Sequence, residues 1–265
     1  MGEGGDLRAR WRRGEATFGG WCSIADPFVT EIMARSGFDW VCLDMQHGLI
    51  DMTALVPMLL ATDAAGIPAF VRVPQALDSW TPRALDLGAA GVIVPMVESA
   101  AQAREIVASA RYAPLGSRSW GPTRALIRLP AYTAASANSS TLLVLMVETA
   151  RGIENVEEIM AVPGVDAVFI GPADLAVSQG FPPQGSAAAT SELIARVIRG
   201  GRTCGVPTGV FCQDEGEVGA YVAEGVSMIA LMSDARLLKA SAASLLSRAH
   251  GITQIPSASP EGLGR

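Results

Sequence analysis

Residues 142–148 read LLVLMVE, an unbroken apolar run that ends on a carboxylate. A run apolar at every position, rather than at alternate ones, is the pattern of a strand covered on both faces, as in a parallel sheet. Working outward from it, similar runs occur earlier at ATFGGWCS (16–23), WVCLD (40–44), PAFVRV (68–73) and GVIVPM (91–96), and later at DAVFIG (166–171), VPTGVF (206–211) and SMIALM (227–232). Helical patterns follow them at 26–36, 52–65, 78–88, 99–110, 151–161, 190–203, 214–224 and 233–248. Eight strand–helix units in about 250 residues predict a (β/α)8 barrel. The competing architecture, a doubly wound open sheet, lacks the GxGxxG expected after its first strand.

Two segments, 111–138 and 172–188, exceed ordinary loop length, and long loops in a compact domain usually serve binding. No linker or low-complexity stretch divides the chain, so residues 1–265 are expected to form one barrel domain with short polar tails at both ends. Hydrophobic residues make up 49% of the chain, enough for a large core. No apolar run approaches the roughly 20 residues needed to cross a bilayer, and the opening MGEGGDLRARWRRG lacks the apolar centre of a signal peptide. A soluble, cytoplasmic protein is expected. Cys22, Cys42, Cys204 and Cys212 stand singly without CxxC spacing, which suits buried reduced thiols. The net charge is −6 and basic residues cluster only over Arg8 to Arg13, read as a solvated tail, so neither nucleic acid nor membrane is an expected partner.

In such a barrel the C-terminal strand ends form the active-site face. Those ends deliver Asp44 and His47 after the second strand, Arg72 in the third, Glu148 after the fifth and Asp174 after the sixth. Asp44 could be only a turn former, Asp174 only a helix cap and His47 only a structural imidazole. Arg72 inside AFVRVP and Glu148 at the end of its run are harder to dismiss, because a buried charge needs a partner or a metal. Two carboxylates without a third strong ligand suit a hard divalent cation completed by water and substrate oxygens, magnesium or manganese before zinc. Such a cation can chelate a 2-oxo acid, polarise its ketone and favour an enolate. The alternative route, a Schiff base, needs a lysine in the barrel, and the single lysine, Lys239, lies in the helix after the last strand.

With these residues placed, the chain resembles the HpcH/HpaI family of class II pyruvate aldolases from about residue 17 to 235. The resemblance is carried by LDMQHG, VRVP, GAAGVIVPMVESAAQAREIVASARYAPLGSRSWG, VETARGIEN and VDAVFIGPADLAVSQG. It implies Glu148 and Asp174 as ligands of a divalent metal (Mg²⁺, Mn²⁺ or Co²⁺) and Arg72 as the contact of the pyruvyl keto oxygen. It also implies His47 with Asp44 as an acid–base dyad, and Gly171, Pro172 and Ala173 as the segment that holds the pyruvate carboxylate. By the same resemblance the substrates are a small 2-oxo acid and an aldehyde, and the assembly is a homo-oligomer, a hexamer in the family. Two departures stand out: Gln46 where members often carry Glu, and Met146 where they often carry Gln. Trp120, where a small residue is common, either narrows the entrance or is simply packed, and with Gln46 it is a candidate for the aldehyde side. A citrate-lyase-type lyase of acyl-CoA and a non-catalytic barrel that binds a 2-oxo acid are the rival readings.

Overall fold

Each of the apolar runs forms a strand. The computed structural model describes residues 3–76, 79–183, 187–212 and 214–253. Strands β1 (Thr17–Cys22), β2 (Trp40–Asp44), β3 (Ala69–Arg72), β4 (Gly91–Val94), β5 (Leu142–Val147), β6 (Ala167–Ile170), β7 (Thr208–Cys212) and β8 (Met228–Ser233) close in chain order into a parallel barrel, with β8 returning to β1. The helices are α1 (Glu3–Arg12), α2 (Pro27–Ala34), α3 (Met52–Ala65), α4 (Trp80–Asp86), α5 (Ala100–Ala110), α6 (Thr123–Arg128), α7 (Ala134–Ser140), α8 (Ala150–Glu154), α9 (Val156–Met160), α10 (Pro172–Ser178), α11 (Ala187–Cys204), α12 (Val218–Ala223) and α13 (Asp234–Thr253). The predicted (β/α)8 barrel is therefore the observed fold.

Two apolar layers hold it. Outside the strands, residues such as Leu43, Val71, Val92, Leu145 and Ile170 pack under the helices. Inside, the barrel is filled by large rings: Trp40 meets Phe70 edge-on at 5.5 Å, and Phe70 stacks with Trp11 at 6.3 Å. Gly19 makes room for this packing, since a Cβ there would fall inside the Trp40 indole.

The N-terminal segment corrects the sequence expectation. Residues 3–12 are a helix that plugs the barrel, with Leu7 and Trp11 buried. The Trp11 indole N–H donates to Thr17 Oγ1 at 2.9 Å, the Trp40 indole donates to the same oxygen at 3.2 Å, and Thr17 passes a hydrogen bond to Ser227 O. Arg8 Nε donates to Asp166 Oδ1 and Arg10 Nη1 to Asp39 Oδ1, both at 2.8 Å. The arginines thus line a docked helix. Its polar composition concealed two apolar residues four apart, which share one helical face.

The long segments carry structure of their own: 111–138 contains α6 and the start of α7, and 172–188 contains α10. At the other end, α13 runs for 20 residues and is exposed from Ala235 to His250, including Leu237, Leu238, Leu245 and Leu246. The expected C-terminal tail, 254–265, lies outside the described residues. Among the described residues no helix is long and apolar enough to cross a membrane.

Candidate active site

The parallel register sets the site's central ion pair. Asp44, the last residue of β2, sits directly opposite Arg72, the last residue of β3. Arg72 donates Nε to Asp44 Oδ1 at 2.8 Å and Nη2 to Oδ2 at 2.5 Å, a two-pronged bond between side chains that are both nearly buried. The Trp21 indole N–H adds a third bond to Oδ2 at 3.1 Å, and the guanidinium lies 5.0 Å over the Trp21 ring. Burial alone would raise the Asp44 pKa, but the hydrogen bonds and charge of Arg72 outweigh it and hold the carboxyl below its ordinary value. The pair is therefore ionised, and a planar fork fixed in this way has a defined orientation. Arg72 Nη1 makes no hydrogen bond among the described residues, and the residue borders a cavity of about 170 Å³.

His47 lies on the exposed side of that cavity. The expected dyad with Asp44 has a different form here. Asp44 meets His47 through the backbone, whose N–H donates to Oδ1 at 3.3 Å alongside that of Gln46 at 3.0 Å. The carboxylate is already engaged by Arg72 and Trp21, and it shapes the loop that carries the imidazole.

Glu148 follows β5 and is 1% exposed. Its Oε1 accepts the Met96 N–H at 2.9 Å, whereas Oε2 is buried without a hydrogen-bond partner among the described residues. Met96 reaches it from a left-handed backbone conformation, φ 58°, which is rare for a residue with a side chain. Burial pushes the Glu148 carboxyl up to about 7, and the charge of Asp174 adds to that, while the Met96 N–H and Arg72 pull it down. Gly171 stands against the carboxylate, and a Cβ at 171 would collide with Oε2. Asp174 follows in the first turn of α10 and borders the cavity with Gly171, Pro172 and Ala173. A buried oxygen without a partner among the described residues, near enough to a second carboxylate to feel its charge, fits a divalent cation. No cluster of three or more His, Cys, Asp or Glu occurs among the described residues, so the remaining coordination would come from water and substrate oxygens.

Four expected residues are absent from the cavity lining: Asp44 and Glu148, which stand against the lining residues Arg72 and Gly171, and the two aldehyde-side candidates. Trp120 is not among the residues bordering the cavity; it packs on Tyr112 and Tyr132, with ring centroids at 5.2 and 5.9 Å. Gln46 is likewise absent from the lining, and its side-chain oxygen is buried without a partner among the described residues. Sequence reading missed Trp21, Phe169 and Phe211, which form the inner wall with Met146. Their only sequence signal is an aromatic residue at or near the C-terminal end of a predicted strand.

Residues 17–240 match the HpcH/HpaI aldolase/citrate lyase family. The chain belongs to that family. It is 34% identical over 248 residues to a hydroxypyruvate/pyruvate aldolase of Rhizorhabdus wittichii, covering 93% of this chain and 99% of that protein. It is 38% identical over 231 residues to a 4-hydroxy-2-oxovalerate aldolase of Novosphingobium aromaticivorans, covering 84% and 86%. Among solved structures, an HpcH/HpaI aldolase/citrate lyase family protein of Burkholderia cenocepacia J2315 superimposes with a TM-score of 0.87 at 32% identity, covering 93% of this chain and 99% of that one. This HpcH/HpaI chain is a carbon–carbon lyase of the aldolase type.

Proposed function

We propose that the protein is a divalent-metal-dependent aldolase that reversibly cleaves 4-hydroxy-2-oxo acids into pyruvate, or a close analogue, and an aldehyde. Glu148 Oε2, buried against Gly171 with no hydrogen-bond partner among the described residues and within the electrostatic reach of Asp174, is the observation that carries the reading. Glu148 and Asp174 would hold Mg²⁺, Mn²⁺ or Co²⁺, which when bound supplies Lewis acidity to the ketone.

The remaining work falls to the chain's own groups. Arg72, oriented by Asp44 and Trp21, directs Nη1 at the keto oxygen, where negative charge grows as the enolate forms. The substrate carboxylate lies along Gly171, Pro172 and Ala173, next to the first backbone amides of α10, which have no acceptor inside the helix. In the cleavage direction His47, at the open side, receives the C4 hydroxyl proton as the C3–C4 bond breaks. The aldehyde leaves on that side, and the aromatic wall keeps water from the enolate.

The same reading makes the protein a homo-oligomer in the cytoplasm. It is supported by the bare leucines of α13, an apolar surface of the kind a partner covers, and by four free cysteines. Metal-dependent exchange of pyruvate methyl protons with deuterated water tests the chemistry. Exchange that vanishes with chelator and returns with Mg²⁺ is expected, and exchange at full rate in exhaustively chelated protein overturns the reading.

A further inference from the structure

The inner wall of the cavity is apolar, built on the neighbouring strands β5, β6 and β7 and on β1, one strand beyond them. Trp21 from β1, Met146 from β5, Phe169 from β6 and Phe211 from β7 all border it. Phe211 meets Trp21 edge-on at 5.3 Å and Phe169 lies 5.9 Å from the same ring, so the three rings form one packed surface. Met146 is 2% exposed, and its methyl group lies 3.3 Å from where a Cβ on Gly171 would stand, at the edge of the carboxylate segment. The one hydrogen-bonding group on this wall, the Trp21 indole N–H, is already given to Asp44.

The polar side chains that border the cavity are Arg72, Asp174 and His47, and the aldolase reading gives each a task. Arg72 faces the keto oxygen, Asp174 belongs to the metal site and His47 faces the aldol hydroxyl. A donor seated by its carboxylate at Gly171 to Ala173 and by its keto oxygen at Arg72 leaves C3 inside the cavity. The mouth side of C3 must stay open for the aldehyde. With the carboxylate segment and the three polar side chains so engaged, the lining left for a further substituent on C3 to meet is Trp21, Met146, Phe169 and Phe211.

We propose that this wall selects the donor at C3: the site takes a 2-oxo acid with an unsubstituted methyl, pyruvate, over one with a C3 hydroxyl, hydroxypyruvate, and Met146 is the residue that sets the preference. The inference rests on the aldolase reading and narrows it. A hydroxyl pressed on the wall gives up its water and finds no partner, yet a hydrophobic pocket rejects an added hydroxyl by only about a hundredfold. A glutamine at 146 has similar length and would bring an amide to the same place.

The test uses the full-length protein loaded with Mg²⁺. Exchange of C3 protons into deuterated water and kcat/KM with glycolaldehyde as acceptor are measured for pyruvate and for hydroxypyruvate, and calorimetry gives the affinity of each donor. Pyruvate is expected to lead in kcat/KM and affinity by about ten- to a hundredfold. Met146→Gln should narrow that ratio by about tenfold while still exchanging pyruvate protons. Hydroxypyruvate equal to or better than pyruvate in the unaltered protein overturns the proposal, as does an unchanged ratio in folded Met146→Gln. If the variant does not fold, the ratio in the unaltered protein decides alone. Exchange with neither donor removes the aldolase reading itself, and this inference with it.

Discussion

Gly171→Ala adds a single methyl group where the 171–174 segment meets Glu148. The backbone there has φ −100° and ψ 91°, which alanine adopts freely, so the substitution carries no conformational penalty of its own. Its effect is steric. The new Cβ would fall about 1 Å inside ordinary contact with Glu148 Oε2, while also crowding Glu148 Cβ at 3.2 Å and Met146 Cε at 3.3 Å. Glu148 is buried and held at Oε1 by Met96, so either the carboxylate or the 171–174 segment must yield. Overpacking of this kind destabilises a fold by about 1–3 kcal/mol, whereas a 1 Å misplacement at a reacting centre costs about a hundredfold in rate. Gly171→Ala should therefore remain folded, melt a few degrees lower, bind Mn²⁺ more weakly and exchange pyruvate methyl protons about a hundredfold more slowly. Gly219→Ala is the control, since a Cβ there meets nothing within 4 Å. A Gly171→Ala protein with normal Mn²⁺ affinity and normal exchange would refute the argument that the empty space at 171 belongs to the metal site.

Arg72→Ala should slow pyruvate proton exchange, oxaloacetate decarboxylation and aldol cleavage alike by roughly a hundred- to thousandfold, with Arg72→Lys rescuing poorly because a point charge lacks the planar fork. His47→Ala should impair cleavage far more than decarboxylation, and equal loss of both in His47→Ala would break the assignment of roles. Borohydride with pyruvate should trap no adduct on Lys239, which lies on exposed α13, and Lys239→Ala should turn over normally; a reduced pyruvyl adduct in the mass spectrum contradicts this. Because the folded pKa of Glu148 is raised to about 7, the folded chain binds that proton more tightly than the unfolded one. Metal-free stability is then fully present below the ordinary carboxylate pKa and falls as pH rises through about 7, by at most about 3 kcal/mol. Urea melts across that window in chelator should show the fall and Glu148→Gln should flatten it; a metal-free curve that rises through the window has the wrong sign.

The fold could be read because runs such as LLVLMV, uniformly apolar and evenly spaced, have few architectures open to them. Uniformity also limited the reading. In a run with no polar face, nothing in the sequence says which side chains point inward, so Phe169 and Met146 looked no different from Val168 and Leu145. Polar residues at strand ends were visible because they interrupt those runs, and Asp44, Arg72, Glu148 and Asp174 were singled out in that way. Their partners were less accessible. That Asp44 faces Arg72 follows from the register between two strands 28 residues apart, and that Met96 reaches Glu148 follows from one left-handed backbone turn. Trp120 shows another limit: a large residue in a long segment can gate or pack, and its ring contacts with Tyr112 and Tyr132 depend on how that segment folds.

The helix that closes the barrel's underside has a consequence for the order of assembly. Beside its near anchors at Thr17 and Asp39, it is tied down far along the chain, since Arg8 bonds Asp166 across 158 positions and Thr141 O across 133. Contacts of such long range gain little until the intervening chain is ordered, because loop closure must be met first. Pulse-labelled hydrogen exchange during refolding should accordingly find α1 protected after β5 and β6, and early protection of α1 would reverse that order. On a ribosome the plug emerges before the strands it closes, so Leu7 and Trp11 stay exposed to water, or to a chaperone, until those strands have been made.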